Sequence, residues 1–184
     1  TDHFFALLSS LSGHPIPEKY AKERGRLVDA YVDGHKYVFG KKAIVYGEED
    51  LVVGMTAFLA EIGIFPVICA SGGTSGRLAE AIAEVTGDIL PEQPDIHEGV
   101  DFFDIAEMAE ALAPDLLIGH SKGYPLARKL NIPLIRVGFP IHDRVGGQRI
   151  NHISYSGAQQ LFDMVTNAII AQKQADSEVG YSYM

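Results

Sequence analysis

The motif Gly119-His120-Ser121-Lys122-Gly123 spells the G-x-S-x-G pattern of a nucleophile elbow, where a serine stands on a sharp strand-to-helix turn. Acyl transfer would also need an acid and a histidine further along the chain. Asp143 and His152 stand in that order, though within one short segment. No Gly-rich oxyanion loop follows the first predicted strand, and the chain is short for a hydrolase of that kind. A turn built from small residues is the plainer reading, and a serine hydrolase using Ser121 is the remote alternative.

A second group lies downstream, where His142, Asp143, Arg144 and Arg149 crowd the loop after an apolar run, with His152 and Tyr155 just beyond. His142, Asp143 and His152 could converge on a metal or pass a proton, but their spacing matches no zinc signature. All six are expected to fix the loop or face a partner, with His152 hydrogen-bonded to loop backbone. A third pair, Asp29 and Asp33, sits four residues apart on a predicted helix, where like charges repel unless compensated. Arg26 and Lys36 could supply a solvated ion-paired face. The sharper alternative is half of an oxygen-rich divalent cation site completed by another subunit. A fourth stretch, Ser71-Gly72-Gly73-Thr74-Ser75-Gly76-Arg77, could cradle an anion, yet it fits neither dinucleotide nor P-loop spacing. The carboxylates Glu48, Glu49 and Asp50 follow the first strand and would repel a bound phosphate. No catalytic residue is assigned.

These residues need a frame. Short apolar runs at 43–46, 65–70, 116–118 and 134–137, with a weaker one at 94–97, read as strands covered on both faces. Helical stretches at about 50–62, 75–86, 102–112 and 123–130 alternate with them. The pattern predicts an α/β fold, a Rossmann-like doubly wound sheet of four or five mostly parallel strands. Flanking helices are predicted at the N-terminus (2–11, then one begun by Pro17) and the C-terminus (157–174). The expected organisation is a single domain over 1–184. It comprises a helical lead-in (1–41), an α/β core (42–150), and a final helix with a tail (151–184).

Composition narrows the function classes. A net charge of −9 argues against nucleic acid, whose binding relies on Lys and Arg neutralising phosphates. No apolar run approaches the roughly 18 residues of a membrane span. The single cysteine, Cys69, rules out an internal disulfide, fits a reducing cytoplasmic setting, and reads as a small buried hydrophobe. Thr1 is not an initiator methionine, so a fragment is expected.

Several strings resemble the C-terminal part of the β-type subunits of nitrogenase component 1. They are Ser12-Gly13-His14-Pro15-Ile16-Pro17, Glu23-Arg24-Gly25-Arg26-Leu27-Val28-Asp29, the 115–119 turn and the 139–149 loop. Val145-Gly146-Gly147-Gln148-Arg149 and the tail Val179-Gly180-Tyr181-Ser182-Tyr183-Met184 look closest to the related scaffold on which the iron–molybdenum cofactor is assembled. The resemblance implies an oxidoreductase-type α2β2 complex with an α-type subunit, a second β-type subunit and a nucleotide-hydrolysing iron protein. It implies an iron–sulfur cluster and an iron–molybdenum cofactor precursor in the whole complex. It also implies a cation near Asp29 and Asp33, where two β-type subunits meet in the catalytic form. A cluster needs about four thiolates, so no cofactor is expected on this chain alone. Residues 138–157 and the last helix are expected to supply partner-facing surface.

Overall fold

A computed structural model describes residues 1–179 of the chain. Five parallel strands form one sheet: β1 (Lys42–Gly47), β2 (Phe65–Ser71), β3 (Asp95–Glu98), β4 (Leu116–Gly119) and β5 (Leu134–Arg136). Their order is β3-β2-β1-β4-β5, so the chain reverses its direction of growth between β1 and β4. In such sheets the crevice beyond the carboxyl ends at that reversal is the usual ligand position.

Why these runs become central strands is visible in β1. Ala43 and Val45 face one core with α3 (Glu49–Ile62), α4 (Leu78–Thr86) and α7 (Ser154–Ala175), while Ile44 and Tyr46 face the other. The second core is closed by Ile105 and Ala109 of α5 (Phe102–Leu112) and by Leu126 and Ala127 of α6 (Tyr124–Leu130). Each fully buried Ile or Leu contributes roughly 1.5–3 kcal/mol by leaving water. Loops end the helices where the backbone turns left-handed, as at Gly63 after α3. Asp101 caps α5, accepting from the amides of Phe103 and Asp104, and Asp104 bonds back to the Asp101 amide.

The flanking helices behave differently from one another. α2 (Glu18–Val38) and α7 pack along each other, and Phe162 and Val165 of α7 enter the same core as β1. The apolar stripe of α7 is therefore used internally. By contrast α1 (Asp2–Ser12) buries no residue and leaves Phe4, Leu7 and Leu11 exposed. Among the described residues no helix is long and apolar enough to cross a membrane.

Close approach of α2 to α7 depends on Gly34. A Cβ added there would lie 2.5 Å from the ring of Phe162, which is 2% exposed and cannot swing into solvent. Gly34→Ala should therefore destabilise the fold by about 1–3 kcal/mol, despite the better helix propensity of alanine. Urea denaturation reads this directly, and an unchanged or raised midpoint would contradict the packing described.

Candidate functional site

At the carboxyl edge, β4 ends in Gly119 and the chain turns through a short 3₁₀ segment, Ser121–Gly123, into α6. The Tyr46 ring from β1 lies against this turn, and its hydroxyl donates to the His120 carbonyl at 2.6 Å. A Cβ at Gly123 would fall 2.0 Å from that hydroxyl, which is why the motif needs glycine there. The motif thus serves packing.

Ser121 is buried and its Oγ donates to Asp143 Oδ1 at 2.5 Å, while accepting from the His142 amide at 3.2 Å. Asp143 in turn receives the Arg136 guanidinium, Nε to Oδ1 at 2.9 Å and Nη2 to Oδ2 at 2.6 Å. Arg136 also lies over the Tyr124 ring, 5.7 Å from its centroid. Arg144 donates to the Asp143 carbonyl at 2.6 Å. Hydrogen bonds from Arg136, then Ser121, hold the Asp143 carboxyl far below the usual carboxylate range, against the opposing effect of burial. So acidic a group cannot take a proton from a serine hydroxyl. No imidazole bridges the pair, and the hydrolase reading has no base at Ser121.

The anion loop is filled from within. Glu49 Oε1 accepts from the Ser75 amide at 3.0 Å, and Glu98 Oε1 accepts from the Gly76 amide at 2.9 Å. Hydrogen bonding from the Ser75 side chain, then from its amide, holds Glu49 below its usual carboxyl range. The amides that a phosphate would use already carry carboxylates. Nearby, a crevice of about 250 Å³ marks the β1/β4 reversal, lined by Tyr46, Glu48, Phe102, His120 and Lys122. Tyr46, Phe102 and His120 meet edge-to-face there, with centroids 4.9–5.6 Å apart. Burial, then Lys122, keeps the His120 imidazole below its ordinary pKa.

The other expected residues scatter. Asp29 and Asp33 are both exposed on α2. Among the described residues neither forms an ion pair within 4.0 Å. The face expected from Arg26 and Lys36 is therefore not made; Lys36 lies over the Tyr37 ring instead. Arg149 stays in its own loop beside Gly146. Tyr155 donates to Asp2 Oδ1 at 2.7 Å and stacks on Phe5 at 5.6 Å. The Nε2 of His152 is buried and has no hydrogen-bond partner among the described residues. Among the described residues no group of three or more His, Cys, Asp or Glu is placed to hold a metal.

The implied iron–sulfur group fails a direct fit. Cys69 is fully buried, shares a hydrogen bond with Thr56 Oγ1 at 3.1 Å, and has its thiol pushed up to about 12 by burial. A cluster ligand must be a thiolate. The chain's single cysteine is held as a thiol.

Taken together, the sheet order and its closed carboxyl-edge turns define a Rossmann-like α/β domain whose apparent catalytic motifs are structural. A family model described as nitrogenase component 1 type oxidoreductase matches residues 1–170. The chain belongs to that family. It is 36% identical over 97% of its length to the nitrogenase molybdenum-iron protein beta chain of Rippkaea orientalis, of which it covers 35%. Against the beta chain of the same name from Azotobacter vinelandii it is 34% identical, covering 92% of itself and 34% of that protein. A chain of the solved structure described as Nitrogenase Cp1 at pH 6.5 superposes with a TM-score of 0.94 at 30% identity. That match covers all of this chain and 40% of the other. The chain thus spans about a third of the length of the curated relatives it matches.

Ser121→Ala would leave the His142 amide without its acceptor and Asp143 one donor short. A cost of about 1–3 kcal/mol follows, seen as a lower denaturation midpoint. A fluorophosphonate probe should leave Ser121 unlabelled; labelling that Ser121→Ala abolishes would overturn the structural reading of this serine. The sign with pH is fixed by the depressed folded value of Asp143. The ion pair's contribution is complete above the unfolded carboxylate range near about 4, and is lost only as pH falls through the lower folded value.

Proposed function

We propose that this chain is the C-terminal domain of a β-type subunit in a nitrogenase component 1-type complex, where it contributes packing surface and subunit contacts. The observation that carries this reading is the whole-chain superposition at 30% identity, together with a lone thiol that is buried and protonated. Phe139, Val145 and Ile153, 71%, 101% and 79% exposed, put apolar side chains on the 138–153 loop that the Arg136–Asp143 pair holds in place. Such surface favours a protein partner. The partners would be an α-type subunit, a second β-type subunit and a nucleotide-hydrolysing iron protein, in the cytoplasm. The iron–sulfur cluster and the iron–molybdenum cofactor precursor would be held by the complete complex. The cation reading of Asp29 and Asp33 needs further oxygens from another chain.

Within the family, the finer reading is the scaffold on which the iron–molybdenum cofactor matures. The Val145–Arg149 variant supports it, as does the tail, whose residues 180–184 lie outside those described. So does the flat identity to beta chains from distant organisms, 36% for Rippkaea orientalis, 35% for Methanococcus maripaludis and 34% for Azotobacter vinelandii. A paralogue is equally far from all of them. The alternative, the catalytic β subunit itself, is favoured by the names those relatives carry.

Metal analysis tests the contact role. The 184-residue chain should purify colourless, without stoichiometric iron or acid-labile sulfide, and a brown, iron-loaded product would refute the reading. In the complete complex, Asp29→Asn with Asp33→Asn should lower divalent-cation content or β–β association. A genetic test separates scaffold from catalytic subunit. Extract from a host lacking this gene should regain nitrogenase activity when isolated iron–molybdenum cofactor is added; no rescue would assign the catalytic subunit.

A further inference from the structure

A cavity of about 480 Å³ opens between α2, α3 and the starts of α1 and α7, sharing no lining residue with the switch-point crevice. Its volume is in the range of small-ligand sites. Six buried side-chain polar atoms lack a hydrogen-bond partner among the described residues, and half of them belong to residues lining this one space: Tyr31 Oη, His152 Nε2 and Ser154 Oγ. Buried polar groups are ordinarily bonded, so a cluster of orphans around a cavity calls for a guest. Ser154 also has a φ of +66°, a conformation serine rarely adopts and one that concentrates at binding sites.

The lining says what kind of guest. All three orphaned atoms can accept a hydrogen bond. Burial keeps the His152 imidazole neutral, which leaves a lone pair available. Burial, then the nearby Glu61 carboxylate, keeps the Tyr31 phenol protonated, although the two do not meet in hydrogen-bond geometry. Two carboxylates line the space. Asp2 is already held by Arg24 at 3.0 Å and by Tyr155 at 2.7 Å. Among the described residues Glu61 forms no ion pair within 4.0 Å. Leu27, Val28, Ala57 and Phe58 supply an apolar wall beside these groups. Unbalanced negative charge, acceptors and an apolar wall suit a cation on an aliphatic stem.

We propose that this cavity binds a guanidinium or alkylammonium head, set toward Glu61 and Tyr31, with its stem along Leu27 and Phe58. The inference does not rest on reading the chain as a β-type domain. The same chemistry is available from a free small molecule or from an Arg or Lys side chain of another polypeptide.

The probe is n-butylguanidinium, titrated into the isotope-labelled chain and followed by NMR. Saturable shifts of the His152 imidazole and Phe58 ring signals are expected, with none from pentanoate, an anion of comparable size. Glu61→Gln, at an exposed position, should weaken the probe about tenfold. Tyr31→Phe should weaken it severalfold while leaving the denaturation midpoint unchanged or higher, because it removes an unpaired hydroxyl. Non-saturating shifts, equal binding of pentanoate, or unchanged affinity in Glu61→Gln would show that the space holds only water and overturn the proposal. In the assembled complex, retained probe binding assigns a free small molecule. Exclusion of the probe, with looser assembly in Glu61→Gln, assigns a partner's basic side chain. Both results uphold the cation chemistry.

Discussion

Covering a sheet on both faces leaves its interior no place for charge, and much of this chain follows from that constraint. β1 and β4 are buried along nearly their whole length, so ionisable groups gather at strand ends and in the loops beyond them. Arg136 is the telling case. It sits at the end of the outermost strand β5 with its side chain only 11% exposed, and a guanidinium so withdrawn from water needs a carboxylate. Asp143, seven residues on, meets that need because the loop folds back. The same carboxylate then accepts a hydrogen bond from the Ser121 hydroxyl, whose oxygen accepts from the His142 amide. One buried charge organises the strand end, the 3₁₀ turn and the loop that carries the exposed apolar residues.

The same logic explains why the chain resembles several enzymes without having their sites. A serine at a strand-to-helix turn becomes a nucleophile only when a base stands beside it; here its neighbour is a carboxylate already neutralised by arginine. A glycine-rich loop with free amides draws an anion, and Glu49 and Glu98 are the anions it holds. A Rossmann-type reversal leaves a crevice, and Tyr46, Phe102 and His120 narrow it. At the serine turn and the glycine-rich loop the fold satisfies locally what a ligand would otherwise satisfy. The cavity between α2, α3 and α7 differs from these two, since three polar atoms of its lining lack partners among the described residues.

Much of the frame was legible because its signals are local. Every predicted strand appears, including the weak one at 94–97, and each helix lies within a few residues of its predicted span. The runs are apolar on both faces, and that pattern has one economical solution. The site was less legible. Arg136 falls within a run that reads as a strand, and an arginine inside Pro133-Leu134-Ile135-Arg136-Val137 is itself a signal that a partner must exist. Arg26 and Lys36 were expected to neutralise Asp29 and Asp33 from spacing alone, yet helical spacing does not fix the rotamer of a long exposed side chain. A partner for His152 cannot be read from its neighbours along the chain, and its buried Nε2 has none among the described residues.

What the sequence determined by itself was therefore the order of elements, the two-sided burial of the strands and the scarcity of sulfur ligands. These follow from side-chain type and short-range periodicity, which need no knowledge of distant neighbours. Only the tertiary structure decided which carboxylate meets which donor across 22 to 26 residues, as for Ser121 with Asp143 and Ser75 with Glu49. It alone decided that α7 turns its apolar stripe inward and that three polar groups face one cavity without partners. Such pairings are set by how loops and helices close in space, and spacing along the chain does not encode that closure.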